Sequence, residues 1–199
     1  MNTPQKLILL RLLLSPLILL IAWQWGTKGA VLILFLMYLG LISDILDGII
    51  ARKQNCSTEK LRRLDSQVDM IFWVSIGISS WLLYPELISE NKYYIFTVFA
   101  MEGLCYVISI IKFQKETCTH AFLSKVWGLT LLFAFTSMIG FGHTGIPFAV
   151  AIIMAVISHA DVILIILILP KWQHDIPSSY HAYLIRRGIG FKKNRFLNS

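Results

Sequence analysis

Residues 30–50 read AVLILFLMYLGLISDILDGII, a run whose only charged residues are Asp44 and Asp47. As helix, a stretch of that length crosses the ~30 Å of hydrocarbon in a bilayer. Outward from it, comparable apolar runs lie at Leu7–Trp25, Met70–Tyr84, Tyr93–Ile111, Val126–Phe141 and Phe148–Leu169. The third, Met70–Tyr84, reaches spanning length only if its helix begins near Asp65. With 56% hydrophobic and 15% charged residues in 199, the chain departs from soluble composition. The expected fold is an all-α integral membrane protein of six transmembrane helices. The expected organisation is a membrane domain over residues 1–170 followed by a basic, aromatic tail over 171–199.

The formal net charge of +7 follows the loops. With the N-terminus in the cytoplasm, sixteen of the eighteen Lys and Arg residues fall on that side, and only Lys28 and Lys92 on the other. The positive-inside rule therefore places both termini in the cytoplasm. Trp23, Trp25 and Trp81 then sit near the outer helix ends and Trp127 and Trp172 near the inner ends, as interfacial anchors do. Arg11 interrupts the first run, which is of spanning length and lacks a small-residue cleavage pattern, so it reads as a retained helix rather than a signal peptide. Cys56, Cys105 and Cys118 show neither zinc-site spacing nor a disulfide framework.

Six acidic residues, Asp44, Asp47, Asp65, Asp69, Glu102 and Asp161, lie within or at the ends of apolar helices, where an ionised carboxylate costs several kcal/mol unless paired or hydrated. Four fall in SDILDGIIARKQNCSTEKLRRLDSQVDM, residues 43–70. Asp44 and Asp47 are spaced i,i+3 and Asp65 and Asp69 i,i+4, so each pair shares a helix face. Two helices joined by a short basic loop would aim all four at one place. Such a cluster repels itself unless cations neutralise it, and all-oxygen ligands favour Mg²⁺ or Mn²⁺, two of which clamp phosphoryl groups in many enzymes. Gly48 opens space one turn past Asp44, and Arg52 can present a planar fork to phosphate. The competing reading is a set of interfacial ion pairs with Arg52, Arg62 and Arg63, which four aspartates at these spacings disfavour.

The stretch resembles the CDP-alcohol phosphatidyltransferase family, whose pattern is D-x2-D-G-x2-A-R-x8-G-x3-D-x3-D. Asp44, Asp47, Gly48, Ala51, Arg52, Asp65 and Asp69 fill seven of its eight positions. Pro4, Leu7, Arg11 and Pro16 also match the family's first helix, where Gln5 and Ile8 replace the common Asn and Thr. Leu61 stands where the pattern has glycine, close to the CDP moiety in the family. The segments LRRLDSQVD (61–69) and LPKWQHDIPSSYHA (169–182) look like a less characterised branch sharing that leucine.

The resemblance implies transfer of a phosphatidyl or other substituted phosphoryl group from CDP-diacylglycerol, or a related CDP-alcohol, to a small polar alcohol, with release of CMP. It implies two Mg²⁺ or Mn²⁺ ions held by Asp44, Asp47, Asp65 and Asp69, with Asp69 also the general base. It implies a nucleotide site of Asp44, Gly48, Ala51 and Arg52, an active site facing the cytoplasm, and a homodimer.

For the acceptor alcohol, Lys125, Glu102, Asp161 and His159 are candidates. Lys125 sits where family members often carry a lysine that meets the acceptor's phosphate. Glu102 is preceded by Met101 where phosphate-using branches show Arg, so a pocket of Glu102, Asp161 and His159 suits a neutral or amine-bearing alcohol at least as well as glycerol 3-phosphate. Tyr180, Tyr183, Phe191 and Phe196 interleave with basic residues as in segments that lie on anionic membrane lipids, and no nucleic-acid partner is expected. Two other functions compete. A diphosphate-using intramembrane prenyltransferase needs more helices and a second aspartate motif. A non-catalytic or cation-binding membrane protein would keep the fold without the chemistry.

Overall fold

The computed structural model describes residues 2–54, 58–117, 119 and 121–190, except the side chain of Arg52. Cys56, Cys118, Phe191 and Phe196 lie outside the described residues. Eight α-helices and no strand occur among those described: α1 (Thr3–Trp25), α2 (Ala30–Lys53), α3 (Glu59–Leu83), α4 (Pro85–Glu90), α5 (Lys92–Phe113), α6 (Phe122–Phe141), α7 (Gly145–Ile168) and α8 (Ser179–Arg186). Among the described residues, five stretches are long and apolar enough to cross a membrane: Thr3–Ala51, Glu59–Leu83, Lys92–Phe113, Phe122–Phe141 and Gly145–Ile168. The first contains α1, of 23 residues, and all but the last two of the 24 residues of α2, separated by a 3-10 turn over Gly26–Gly29. The chain reads as an integral membrane protein.

The helix α3 supplies the length that its apolar run lacks, because it starts at Glu59, well before Met70. Thr58 caps it, the hydroxyl oxygen accepting from the Leu61 amide at 3.2 Å, and Glu59 sits favourably in the first turn. The short α4 opens on Pro85, whose missing N–H costs nothing at a helix start.

Two compact units make up the chain, and each is described by itself. The first holds α1 to α4 and residues 134–145. There α1 packs against both α2 and α3. Its buried residues Pro4, Ile8, Arg11, Ser15, Ile18 and Ala22 step by four and three, one stripe along the helix, while Leu9, Leu13, Leu17 and Leu20 stay exposed. Buried serines on α3 satisfy their hydroxyls locally: Ser75, Ser79 and Ser80 donate to the carbonyls of Ile71, Ser75 and Ile76 at 2.8, 2.8 and 3.0 Å. Such small residues let membrane helices approach closely. Phe72 of α3 packs against Gly40 of α2, and Trp73 stacks on Phe135 with centroids 6.0 Å apart.

The second unit holds α5, the start of α6, most of α7, and α8. Cys105, Ala121, Val162, Ile165, Ile166 and Leu169 form its core together with Ile176 and Ala182 from beyond α7. The segment after α7 is built into this unit. The Ile176 amide donates to the Thr119 carbonyl at 2.8 Å, and the Phe122 amide donates to the Pro177 carbonyl at 2.9 Å. Trp172 Nε1 donates to the Glu116 carbonyl at 2.9 Å. Lys112 Nζ donates to the carbonyls of Ile166 and Leu167 at 2.9 and 2.7 Å, satisfying the C-terminal end of α7.

Candidate metal centre

The last turns of α2 and the first turns of α3 bring Asp44, Asp47, Asp65 and Asp69 around one group, the guanidinium of Arg11 on α1. Arg11 is 1% exposed. Its Nη1 donates to Asp44 Oδ1 at 2.7 Å and to Asp69 Oδ1, and its Nη2 donates to Asp65 Oδ1 at 2.7 Å and to Asp47 Oδ2. Each nitrogen thus joins one carboxylate of α2 to one of α3. The cluster has a dry and a wet side: the side chains of Asp47 and Asp65 are 4% and 8% exposed, those of Asp44 and Asp69 37% and 29%. Asp44 and Asp69 are therefore open to a bound molecule, while Asp47 and Asp65 are enclosed.

Arg11, far away in sequence, pairs with all four aspartates. Arg62, buried three residues before Asp65, adds positive charge near Asp47.

Asp44, Asp47 and Asp65 can hold a metal ion, since they offer one oxygen each within 4.8 Å of one another. Bonds of about 2.0–2.1 Å from such oxygens to a hard cation fit that spacing. With no His or Cys among the grouped ligands, the donor set suits Mg²⁺ or Mn²⁺ rather than a softer ion.

Of the nucleotide candidates, Gly48 is half-buried one turn from Asp44, and Ala51 is buried one turn from Asp47. The Arg52 side chain lies outside the described residues. Leu61 is half-buried in the first turn of α3.

The acceptor candidates belong to the other unit. His159 and Glu102 meet: His159 Nδ1 donates to the Ala155 carbonyl at 2.5 Å, and Nε2 lies 2.6 Å from Glu102 Oε2. A mutual hydrogen bond of this kind satisfies two polar side chains inside apolar helices. Trp127 stands edge-on to His159 at 4.7 Å, its buried Nε1 without a partner. Asp161 faces elsewhere: Oδ1 accepts from the Ser179 amide at 3.1 Å, while Oδ2 is buried without a partner. Lys125 is exposed on the first turn of α6.

Sequence reasoning missed the role of Arg11. A signal was present, because a lone arginine inside an apolar helix demands a carboxylate or water.

Residues 1–169 match the CDP-alcohol phosphatidyltransferase family. The chain is 30% identical over 173 residues to a CDP-diacylglycerol–glycerol-3-phosphate 3-phosphatidyltransferase of Aquifex aeolicus, covering 86% of this chain and 92% of that protein. No solved structure matches the chain at a significant level. The chain belongs to the CDP-alcohol phosphatidyltransferase family and is, with it, a transferase of phospholipid biosynthesis.

Proposed function

We propose that the chain moves a phosphatidyl group from CDP-diacylglycerol to a small polar alcohol and releases CMP. The observation that carries this reading is the convergence of Asp44, Asp47, Asp65 and Asp69 on one point from two helices. Two Mg²⁺ or Mn²⁺ ions held by these four residues would supply the positive charge that offsets charge growing on the diphosphate. Gly48, Ala51 and Arg52 line the nucleotide on the α2 side. Asp69, on the wet side of the cluster, takes the proton of the acceptor hydroxyl as its oxygen bonds to the lipid-side phosphorus. The bond from that phosphorus to the CMP oxygen breaks, and CMP leaves.

Glu102, His159, Asp161 and Lys125 are the candidates for the acceptor alcohol, and the hydrogen-bonded Glu102–His159 pair offers polar groups suited to a hydroxyl. Glycerol 3-phosphate is the acceptor named for the relative, and Lys125 would meet its phosphate.

In this reading the helices α1, α2, α3, α5, α6 and α7 make six crossings in a membrane domain over residues 1–170. Both termini and the active site face the cytoplasm, the tail over 171–199 lies on anionic lipid, and the chain works as a homodimer.

The test is CMP release by the purified protein from CDP-diacylglycerol, with glycerol 3-phosphate, inositol, inositol phosphate, serine and choline in turn, and mass spectrometry of the product lipid. One acceptor should drive CMP release and appear in the product. Release with none of them, in protein that melts cooperatively, would sink the proposal.

A further inference from the structure

We propose that Arg11 is a resident cation of the carboxylate cluster: it holds the four aspartates together while metal is absent and gives up its contacts as divalent ions load. The inference rests on the reading of the cluster as a metal site.

The geometry argues for exchange rather than coexistence. Arg11 spends both terminal nitrogens on Asp44, Asp47, Asp65 and Asp69. Three of these are the residues whose oxygens are grouped to bind an ion. An ion and a guanidinium placed among the same carboxylates compete for the same negative charge. Charge points the same way. Four carboxylates balance two dications, and a guanidinium added at the same place leaves excess positive charge in a dry setting, where repulsion is strong.

The arginine is also incompletely satisfied where it stands. Its Nε is buried with no hydrogen-bond partner, a cost that departure from this conformation relieves.

Without Arg11, four mutually repelling carboxylates would face one another with less compensation, so the metal-free fold should weaken. For the same reason the cluster should attract metal more strongly, because an ion no longer has a resident competitor. A purely supporting arginine would act oppositely: its loss would let the ligands splay and weaken metal binding.

Full-length protein in detergent, titrated with Mn²⁺ and followed by electron paramagnetic resonance, separates the two. Wild type should bind Mn²⁺, and Asp65→Asn should bind at least tenfold more weakly. Arg11→Met should bind at least tenfold more tightly than wild type. It should melt at a lower temperature than wild type in chelator and gain more from saturating Mn²⁺. Equal or weaker Mn²⁺ affinity in the folded Met variant would overturn the role of Arg11 and leave the metal reading standing. If neither wild type nor the Met variant binds Mn²⁺, the metal reading falls and takes the inference with it. Should the Met variant fail to fold, Arg11→Lys, which keeps the charge but spans fewer carboxylates, should bind Mn²⁺ at least threefold more tightly than wild type. Affinity at or below that of wild type would overturn the inference.

Discussion

The carboxylate of Asp161, buried in α7, accepts a hydrogen bond from the Ser179 amide in the first turn of α8, 3.1 Å away. The first amides of a helix have no partner within it, and a negative charge there also meets the positive end of the helix dipole. Asp161 thereby ties the segment beyond α7 to the core of its unit. Asp161→Ala should cost about 1–2 kcal/mol, the scale of a lost cap. Trypsin should then cut faster at Arg186 and Arg187. Asp161→Asn keeps an acceptor oxygen and should protect the segment nearly as well. If Asp161 also serves the acceptor alcohol, the Asn variant will raise the acceptor KM while its cleavage rate stays near that of wild type.

Gly40 and Phe72 define how closely α2 approaches α3. A Cβ at Gly40 would clash with the ring of Phe72, which is 1% exposed and set edge-on to Trp73 with centroids 5.9 Å apart. Gly40→Ala should destabilise by about 1–3 kcal/mol, the cost of overpacking a filled site. Combined with Phe72→Leu, it should cost less than the sum of the two single changes, with a coupling of about 1 kcal/mol or more in thermal melts. Additive costs would place the contact elsewhere.

Asp65→Asn separates folding from chemistry. Asparagine keeps an oxygen for Arg11 Nη2 and lowers the negative charge of a self-repelling cluster. The melting temperature in chelator should therefore hold or rise. CMP release should fall about hundredfold or more, the scale of losing one charge-stabilising group. A variant that loses stability and activity together would give Asp65 a mainly structural role.

Leu61 stands at the position where the family pattern has glycine, and its backbone amide is held by Thr58 Oγ1 at 3.2 Å. Leu61→Gly keeps that bond and loses only helix propensity, up to about 1 kcal/mol. Because the four aspartates are untouched, the KM for the CDP-lipid should change more than kcat. An inactive wild type beside an active glycine variant would mark the chain as a decayed enzyme in which leucine fills the nucleotide site.

The aspartates were legible in sequence because their spacing is local: i,i+3 and i,i+4 on a helix place each pair on one face, and a short loop makes the two faces meet. Arg11 could not be assigned to them by spacing, since it lies 33 to 58 positions away. In a bilayer the apolar pattern does not report which face of a helix packs, because lipid accepts leucine as readily as protein does. The buried stripe on α1 is therefore flanked by exposed leucines of the same character, and only the structure distinguishes Ile18 from Leu17. The segment after Pro170 read as a basic, aromatic tail. Its short apolar contributions, Ile176 and Ala182, carry no periodicity long enough to announce a packed element.

The central claim is that the carboxylate cluster performs metal-dependent transfer with Asp69 as base. It is tested most directly by CMP release from CDP-diacylglycerol by wild type and Asp69→Asn, each with Mg²⁺ and with chelator, beside a thermal melt of both proteins. Acceptor-dependent CMP release by wild type in Mg²⁺, abolished by chelator and by the substitution while the variant melts no lower than wild type, is the predicted result. Near-wild-type release by folded Asp69→Asn, or release that persists in chelator, would contradict it.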